Sequence, residues 1–359
     1  MLAACPQLVG LDYETRVLPT LEILRSGVGL RPTDVRRVLR KAPEVLLDRP
    51  DGSSVMDVLE VLEALGVRAK ALRAEIARRP RLLVVPASGY FQLAAWLASD
   101  EVGVKPSEVG SLLRQAPWLA ECPIDGQLRP AVAYLRGDAV GVTAPGLERI
   151  VRAYPRALAE SVEQDLAPRI RFLGAEAGIA AEDIPKVIMS FPLLLAVPVP
   201  RMRSVLRFLL VDLDIPQGDA SKMLRAFPSL LGLEVERHML GVVAFLRELG
   251  VQNVGRFVTR LPPVLGYSVE DNLRPKMRFL VAGMGLSAYD VLTFPAYFSY
   301  PLPSVIEPRT AFLRLRRRPI AVVGVTAALT GGDADFAKKV AKVSPDLYQS
   351  FKATYLQHR

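Results

Sequence analysis

Apolar residues recur along the chain at fixed distances from a set of evenly spaced prolines. The prolines, which we call anchors and which define repeats 1 to 9, are Pro6, Pro43, Pro80, Pro117, Pro155, Pro192, Pro228, Pro262 and Pro295. Successive anchors are separated by 33 to 38 residues. Self-similarity at such a period is typical of proteins built from stacked repeats. Nine repeats therefore cover almost the whole chain.

Three apolar rows accompany the anchors. Residues eight before the anchor are Val35, Leu72, Val109, Leu147, Ile184, Ala220 and Val254. Residues four before it are Leu39, Ile76, Leu113, Val151, Ile188, Leu224, Val258 and Val291. Residues three after it are Leu46, Leu83, Ala120, Leu158, Leu195, Leu231, Leu265 and Phe298. Because residues four apart share one stripe of an α-helix, the first two rows predict an amphipathic first helix before each anchor.

A second helix is predicted after each anchor. Five repeats carry another proline thirteen residues after the anchor, namely Pro19, Pro130, Pro168, Pro275 and Pro308. Proline is tolerated in the first turn of a helix, so we expect the second helix to begin there. The glycines expected to end it are Gly29, Gly66, Gly103, Gly178, Gly250 and Gly285. One helix pair cannot bury its apolar stripe alone. The sequence therefore predicts an all-α fold, an α-solenoid of about nine repeats that forms a single array over residues 1–359.

Composition excludes several classes of function. The 50% hydrophobic content suits a chain in which every helix has a buried face. Cys5 and Cys122 are the two cysteines, and such sparse use predicts a reducing compartment. The sequence has no metal-ligand spacing, glycine-rich phosphate loop or nucleophile motif. We therefore expect no enzyme activity, no metal, no cofactor, no small-molecule substrate, no membrane association and a monomeric state.

Positive charge falls in a regular register. The net charge is +9. Cations six residues before the anchor are Arg37, Arg149, Lys186, Lys222 and Arg256, and those three before it are Arg40, Arg114, Arg152 and Arg225. These two columns lie one turn apart on the same helix face, so stacking should align them into a strip suited to a polyanion. A second cluster near the start of the second helix adds Arg169 and Lys276 as candidates.

The last part of the chain is also basic. Residues 309–359 contain ten Lys or Arg and three Asp, and we interpret them as a basic C-terminal capping region. Within it, Arg309 and Arg316 are expected to clamp nucleic acid. By contrast, the aromatic residues directly before four anchors share the apolar register and are expected in the core. They are Tyr154, Phe191, Phe227 and Phe294.

Two stretches near the end of the chain accompany the proline-led leucine-rich phrases: FPAYFSYPLPSVIEPR from Phe294 to Arg309, and GDADFAKKV from Gly332 to Val340. In these three features the chain resembles the mitochondrial transcription termination factor (mTERF) family. The resemblance implies a curved all-α solenoid with a positively charged inner surface that binds nucleic acid in a mitochondrion or chloroplast. Arg309 is the basic residue that it assigns to the motif. No arginine- and serine-rich leader precedes Pro6, so no transit peptide is predicted within this chain.

Double-stranded DNA is the favoured partner, and regulation or termination of transcription is the favoured role. Binding of RNA, for intron splicing or ribosomal RNA maturation, is an alternative within the same class. DNA and RNA present phosphates to the same cations, so the charge pattern does not distinguish them. A protein-interaction scaffold is the alternative from another class, and it would have a neutral or apolar inner face.

Overall fold

A computed structural model of the chain describes residues 5–47, 52–66 and 69–358, and every regular element within these ranges is helical. The prediction of an all-α repeat fold is confirmed. The chain folds as two compact units. The first comprises the described residues up to Arg171 together with Ala180–Ala196, and the second comprises Phe172–Ile179 together with the described residues from Val197 onward. The single array over residues 1–359 stays a prediction.

The first helices of repeats 2 to 9 lie directly before the anchors. They are Pro32–Lys41, Ala69–Arg78, Pro106–Gln115, Ala144–Ala153, Ile184–Ser190, Gln217–Ala226, Val254–Arg260 and Ala288–Thr293. The predicted apolar rows form their inner faces. The row that stands eight residues before the anchor is buried in all seven repeats that have it. The row that stands four residues before the anchor is buried too, except for the half-buried Leu39. Three pairs of first helices from successive repeats pack side by side within a unit: Pro32–Lys41 with Ala69–Arg78, Ala144–Ala153 with Ile184–Ser190, and Gln217–Ala226 with Val254–Arg260.

Each anchor opens a short 3₁₀ helix. These nine segments are Pro6–Gly10, Pro43–Leu46, Pro80–Leu83, Pro117–Glu121, Pro155–Ala159, Pro192–Ala196, Pro228–Gly232, Pro262–Gly266 and Pro295–Ser299. Every anchor except Pro6 is buried. The third apolar row is buried here too, apart from the half-buried Ala120. Proline suits this place because its fixed φ starts the turn and its missing N–H would have no partner there.

The second helices combine α-helical and π-helical segments. The α-helical parts are Leu18–Glu22, Val55–Ala64, Ala87–Ala98, Arg129–Arg136, Ala167–Arg171, Val199–Arg207, Leu240–Glu248, Arg274–Arg278 and Glu307–Leu315. The π-helical segments that precede an α-helical part are Tyr13–Val17, Ile124–Leu128, Val162–Leu166, Val235–Met239, Val269–Leu273 and Leu302–Ile306. Those that follow one are Ile23–Gly27, Phe172–Glu176, Phe208–Asp212 and Phe279–Gly283.

The expectation that the second helix begins at the second proline holds for its α-helical part, whose second residue is that proline, but not for the whole helix. In all five repeats that carry this proline, a π-helical segment ends two residues before it. In repeat 4, for example, the Arg129 N–H donates to the carbonyl of Ile124, five residues back. A proline ring clashes with the carbonyl four residues back in a regular α-helix, and the wider π-helical turn gives the ring of Pro130 more room. The second prolines therefore lie inside their helices.

Polar side chains bond repeats to one another within each unit. Arginines donate to backbone carbonyls of other repeats: Arg73 to Val28 and Arg114 to Gly66 two repeats earlier, Arg136 to Asp100 and Glu101 and Arg314 to Gly283 one repeat earlier, and Arg260 to Leu292 and Thr293 one repeat later. Most of these carbonyls lie at or just beyond helix ends, where the last carbonyls have no partner in their own helix. The bonds therefore satisfy acceptors that stacking alone leaves open.

The chain after repeat 9 forms a helical cap. Its elements are Ile320–Val323, Val325–Leu329, Asp333–Asp335, the π-helical Phe336–Ala341 and the longer Pro345–Gln357. Aromatic rings hold the cap on repeat 9, since Phe312 lies 5.2 Å from Tyr348 and 6.5 Å from Phe336 between ring centroids. Phe336 and Tyr348 are themselves 4.8 Å apart. This cluster supplies the cap with a core of its own.

Candidate nucleic-acid interface

Ten of the thirteen predicted contact residues are exposed. They are Arg37, Arg40, Arg114, Arg149, Arg152, Lys186, Lys222, Arg225, Arg256 and Arg316. All except Arg316 lie on first helices, on the side away from the buried rows. The amphipathic pattern explains their exposure, because the residues three and six before an anchor fall outside the stripe that packs inward. The two columns thus present cations to solvent in both units.

One column consists of the cations that stand six residues before the anchor. Three of them have a carboxylate partner on their own helix or at its start. Arg37 pairs with Asp34 at 3.8 Å, Lys186 with Asp183 at 2.9 Å and Lys222 with Asp219 at 3.1 Å. In each case the acid stands three residues earlier, which places the two side chains next to each other. These aspartates were not predicted as partners, although their spacing from the cation is visible in the sequence.

Two cations of the same column have no such acid. The residue three before Arg256 is Asn253, whose Oδ1 accepts the Arg256 N–H at 2.7 Å and caps the helix. The residue three before Arg149 is Gly146, where an added Cβ would approach Met189 Sδ to 2.3 Å. Close packing on repeat 6 therefore favours glycine there. Within the described residues, neither guanidinium has an ion pair, so both are available to an external anion.

A cleft lies between the first helices of repeats 4 and 5. Its volume is about 490 Å³, and it is lined by Lys105, Pro145, Glu148, Arg149, Arg152 and Ala153. Arg152 is held across it by Glu108 of repeat 4 at 2.9 Å, and Lys105 lies 4.0 Å from Glu148. Three cations and two carboxylates therefore meet at this cleft, and Arg149 is the cation without an acid partner.

The structure corrects the assignment of Arg169 as an exposed contact. Its side chain is 12% exposed and lies 2.7 Å from Glu160 and 3.6 Å from Asp165. Tyr154 donates its hydroxyl to Glu160 at 2.8 Å. Burial, together with this bond to Glu160, raises the pKa of Tyr154. Arg169 is thus held inside a polar network of repeat 5, where the carboxylates of Glu160 and Asp165 neutralise its charge.

Lys276 is also buried, with 6% of its surface exposed. Its Nζ donates to the Phe298 carbonyl at 2.6 Å and lies 5.8 Å from the centre of the Tyr267 ring. No carboxylate is paired with it among the described residues, and burial lowers the pKa of Lys276 to about 8. The Lys276 carbonyl accepts the Tyr297 hydroxyl at 2.7 Å. The residue joins repeats 8 and 9, and the expected phosphate contact is corrected.

Arg309 is the clearest departure from the sequence expectation. It is 2% exposed, and its guanidinium lies 4.9 Å from the Phe336 ring centre. Its four hydrogen bonds go to the carbonyls of Ala328, Leu329 and Gly331 and to Asp333 Oδ1. The cap folds over this side chain, so Arg309 fastens the cap to repeat 9 instead of facing a ligand.

Asp333 completes this buried network. Its Oδ2 accepts from Lys352 Nζ at 2.7 Å, while its Oδ1 accepts from Arg309 at 2.9 Å. Burial alone would raise the pKa of Asp333, but the hydrogen bonds from Lys352 and Arg309 lower it below its usual value. The carboxylate is therefore charged and shared by two cations, which satisfies the condition for burying an ionised group.

The aromatic residues before the anchors are less buried than expected. Tyr154, Phe191 and Phe294 are half-buried, and Phe227 is 38% exposed. Each ends its first helix beside the 3₁₀ segment, at the edge of the packed face. These four residues were expected in the core and instead lie at its edge. The reason is that the residue directly before the anchor lies past the last turn of the first helix, whose apolar stripe is buried.

Two other kinds of site are absent from the described ranges. No group of three or more His, Cys, Asp or Glu side chains there is arranged to hold a metal ion. No helix in the same ranges has both the length and the apolar character needed to cross a bilayer.

Comparison with known proteins places these features in context. The mTERF family model matches residues 53–337 of the chain. The Arabidopsis thaliana protein named Transcription termination factor MTERF8, chloroplastic, is 26% identical over 234 residues, which are 65% of this chain and 46% of that protein. The chain thus spans about half the length of this curated relative.

Proposed function

The chain belongs to the mTERF family, and on that premise we propose that it is an organellar nucleic-acid-binding protein that grips double-stranded DNA and regulates or terminates transcription. The observation that supports this proposal best is the repeated exposure of cations at a fixed register of the first helices. The name of the Arabidopsis relative, with its chloroplastic location, supports the organellar assignment and the role in transcription.

The proposed contact is phosphate neutralisation by the first helices of both units. In the first unit, neighbouring helices Ala144–Ala153 and Ile184–Ser190 bring Arg149, Arg152 and Lys186 onto adjacent turns. In the second unit, Gln217–Ala226 packs on Val254–Arg260 in the same way. Each cation that meets a phosphate releases condensed counterions, which provides affinity without sequence preference.

Cations without an ion pair are proposed to contribute most. Arg40, Arg149 and Arg256 have none within the described part of the chain, whereas Arg152 is held by Glu108. An unpaired arginine can also donate two parallel bonds to the O6 and N7 acceptors of guanine in the major groove. A duplex held at several such points obstructs an advancing polymerase, and this obstruction is the proposed basis of termination.

The salt dependence of duplex binding tests the proposal. If about six cations meet phosphates, the logarithm of affinity should fall with the logarithm of salt concentration at a slope of about −5. Replacing Arg37, Arg149, Lys186, Lys222 and Arg256 by Gln should flatten this slope. The matched control carries five Arg→Gln changes at exposed cations off the first helices, namely Arg81, Arg171, Arg207, Arg237 and Arg247. It removes the same charge and should retain the slope.

Three outcomes separate the alternatives. Equal slopes for the two five-residue variants would contradict a role for the columns. Tighter binding of single-stranded or hairpin RNA than of duplex DNA, with loss in the column variant, would assign the interface to RNA. Absence of salt-dependent binding to any nucleic acid would leave the scaffold hypothesis.

A further inference from the structure

Each second helix is followed, two to five residues after its end, by a residue in the left-handed conformation. In seven repeats this residue is a glycine with φ between +69° and +85°: Gly29, Gly66, Gly103, Gly141, Gly178, Gly250 and Gly285. Glycine is the usual residue there because it has no Cβ to clash with the backbone. Two repeats depart from the pattern, repeat 6 with Asp214 at φ +51° and repeat 9 with Arg317 at φ +53°.

One further non-glycine residue of the described chain has a positive φ, and it is also a cation. Lys342 directly follows the helix Phe336–Ala341 and has φ +57°. Long side chains with a Cβ are disfavoured in this conformation relative to glycine. Residues held in sparsely populated backbone conformations cluster at functional sites, where the function of the side chain outweighs the cost of the conformation. Arg317 and Lys342 are thus candidates for a role that glycine cannot fill.

The structure brings these two cations into one region. Arg318 Nη1 donates to the Val340 carbonyl at 2.6 Å and so joins the turn after repeat 9 to the end of helix Phe336–Ala341. Four cations around this junction are exposed and have no ion pair within the described residues. We call them the C-terminal basic patch: Arg316, Arg317, Lys338 and Lys342. Lys339 is excluded because it pairs with Asp335 at 2.7 Å.

The helix dipole does not account for the left-handed cations. A cation near the C-terminus of a helix is stabilising, but any position in the last turn provides that effect. Arg314 already lies in the last turn of Glu307–Leu315, and Lys338 and Lys339 lie in Phe336–Ala341. Glycine at positions 317 and 342 would leave these charges in place and relieve the backbone.

We propose that the C-terminal basic patch is a second phosphate-contact site for nucleic acid, separate from the two columns of the first helices, and that Arg317 and Lys342 are retained there at the expense of stability. The inference rests on the proposed function. Four exposed cations that have no ion pair within the described residues suit the evenly spaced charges of a phosphodiester backbone. An anionic membrane is the competing partner, because the exposed apolar residues Leu315 and Val322 flank the arginine run.

The test replaces both left-handed cations by the residue that the other repeats use. The double variant Arg317→Gly, Lys342→Gly should fold, with a melting temperature unchanged or raised by about 1–3 °C. Its affinity for a labelled duplex should fall by roughly eightfold per lost contact at about 0.1 M salt, and its log–log salt slope should decrease by about 1.8 in magnitude. If glycine loosens the cap, Arg317→Asn, Lys342→Asn removes the charges with a residue that tolerates this conformation.

Repeat 6 provides the matched control. Asp214→Gly also replaces a left-handed residue by glycine, at the position of repeat 6 that corresponds to Arg317 in repeat 9, but it removes no cation. It should be as stable as the wild type or more so, and its duplex affinity should not fall. A fall equal to that of the double variant would assign the effect to the backbone and overturn the proposal.

The remaining outcomes separate this proposal from the proposed function. Wild-type affinity and slope in the Gly and Asn double variants, with a loss in the column variant, would refute the second site alone. Absence of nucleic-acid binding in the wild type would refute both. Sedimentation with anionic phospholipid vesicles decides the partner. Vesicle binding that is lost in Leu315→Ser and in the double variant, with duplex affinity unchanged, would assign the patch to a membrane and overturn the proposal.

Discussion

Replacing Asp183 and Asp219 by Asn should strengthen nucleic-acid binding. Lys186 Nζ lies 2.9 Å from Asp183 Oδ1, and Lys222 Nζ lies 3.1 Å from Asp219 Oδ1. A phosphate that engages either lysine must compete with the carboxylate that already holds it. The two aspartates therefore oppose binding at positions where the proposed interface needs positive charge, and their neutral analogues should release both lysines.

The size of the effect follows from the exposure of the pairs. The two lysine side chains are 71% and 73% exposed, so both are surface ion pairs. Such pairs contribute about 0.3–0.5 kcal/mol each, and relief at two sites corresponds to a roughly three- to fivefold gain in affinity. Each lysine that gains a phosphate also steepens the log–log salt slope by about 0.9.

Fluorescence anisotropy with a labelled duplex at one salt concentration measures the gain, and a salt series measures the slope. Asp138→Asn with Asp212→Asn is the matched control, because both are exposed acids off the first helices and the change in net charge is the same. Equal gains in the two double variants would show that net charge alone matters. Unchanged affinity in Asp183→Asn, Asp219→Asn would refute the reasoning, since neither lysine would then meet a phosphate.

Three further changes have defined outcomes. Asn253→Asp keeps the helix cap but adds the acid that repeats 2, 6 and 7 carry, so duplex affinity should fall about twofold or more as Arg256 becomes paired, by anisotropy. Arg309→Met should lower the free energy of unfolding in urea by about 3–5 kcal/mol, because Asp333 and three carbonyls lose their donor, and a loss below about 1 kcal/mol would contradict the network. Lys276 has a pKa of about 8 in the folded protein and 10.5 as its ordinary value, so the unfolded chain binds more protons between these values and stability should rise with pH over that window. Urea unfolding at pH 7.5 and pH 10.5 should show a rise about 2–3 kcal/mol larger in the wild type than in Lys276→Met, and equal rises would contradict the burial of a charged lysine.

The repeat and its buried rows could be predicted from the sequence because they are local. Val35 and Leu39 share a stripe for reasons of helix geometry alone, and the corresponding pairs do so in repeats 3 to 8. The π-helical segments before the second prolines were not predicted, for a related reason. A rule about α-helices puts proline in the first turn, whereas Pro130 follows a π-helical turn that removes the conflict with an earlier carbonyl.

The candidate site was predictable where exposure depends on helix register and not where it depends on tertiary contacts. The register of the first helices is enough to expose Arg149 and Arg256. Burial of Arg309 depends on a turn of the cap about twenty residues later in the chain, and burial of Lys276 depends on the next repeat. Nothing in the residue type distinguishes a basic side chain that faces solvent from one that meets carbonyls of a neighbouring element.

The bonds between repeats have a consequence for assembly. Neighbouring repeats exchange hydrogen bonds through different surfaces, since Arg260 of repeat 8 donates to Leu292 and Thr293 of repeat 9, and Arg314 of repeat 9 donates to Gly283 of repeat 8. Such a head-to-tail interface has no intrinsic end, and an open end of one chain fits the opposite end of a second chain. The cap closes one end, because Phe312 of repeat 9 is covered by Phe336 and Tyr348. A chain that lacked the cap would expose a surface on which further copies could add, and would thus be prone to grow into filaments.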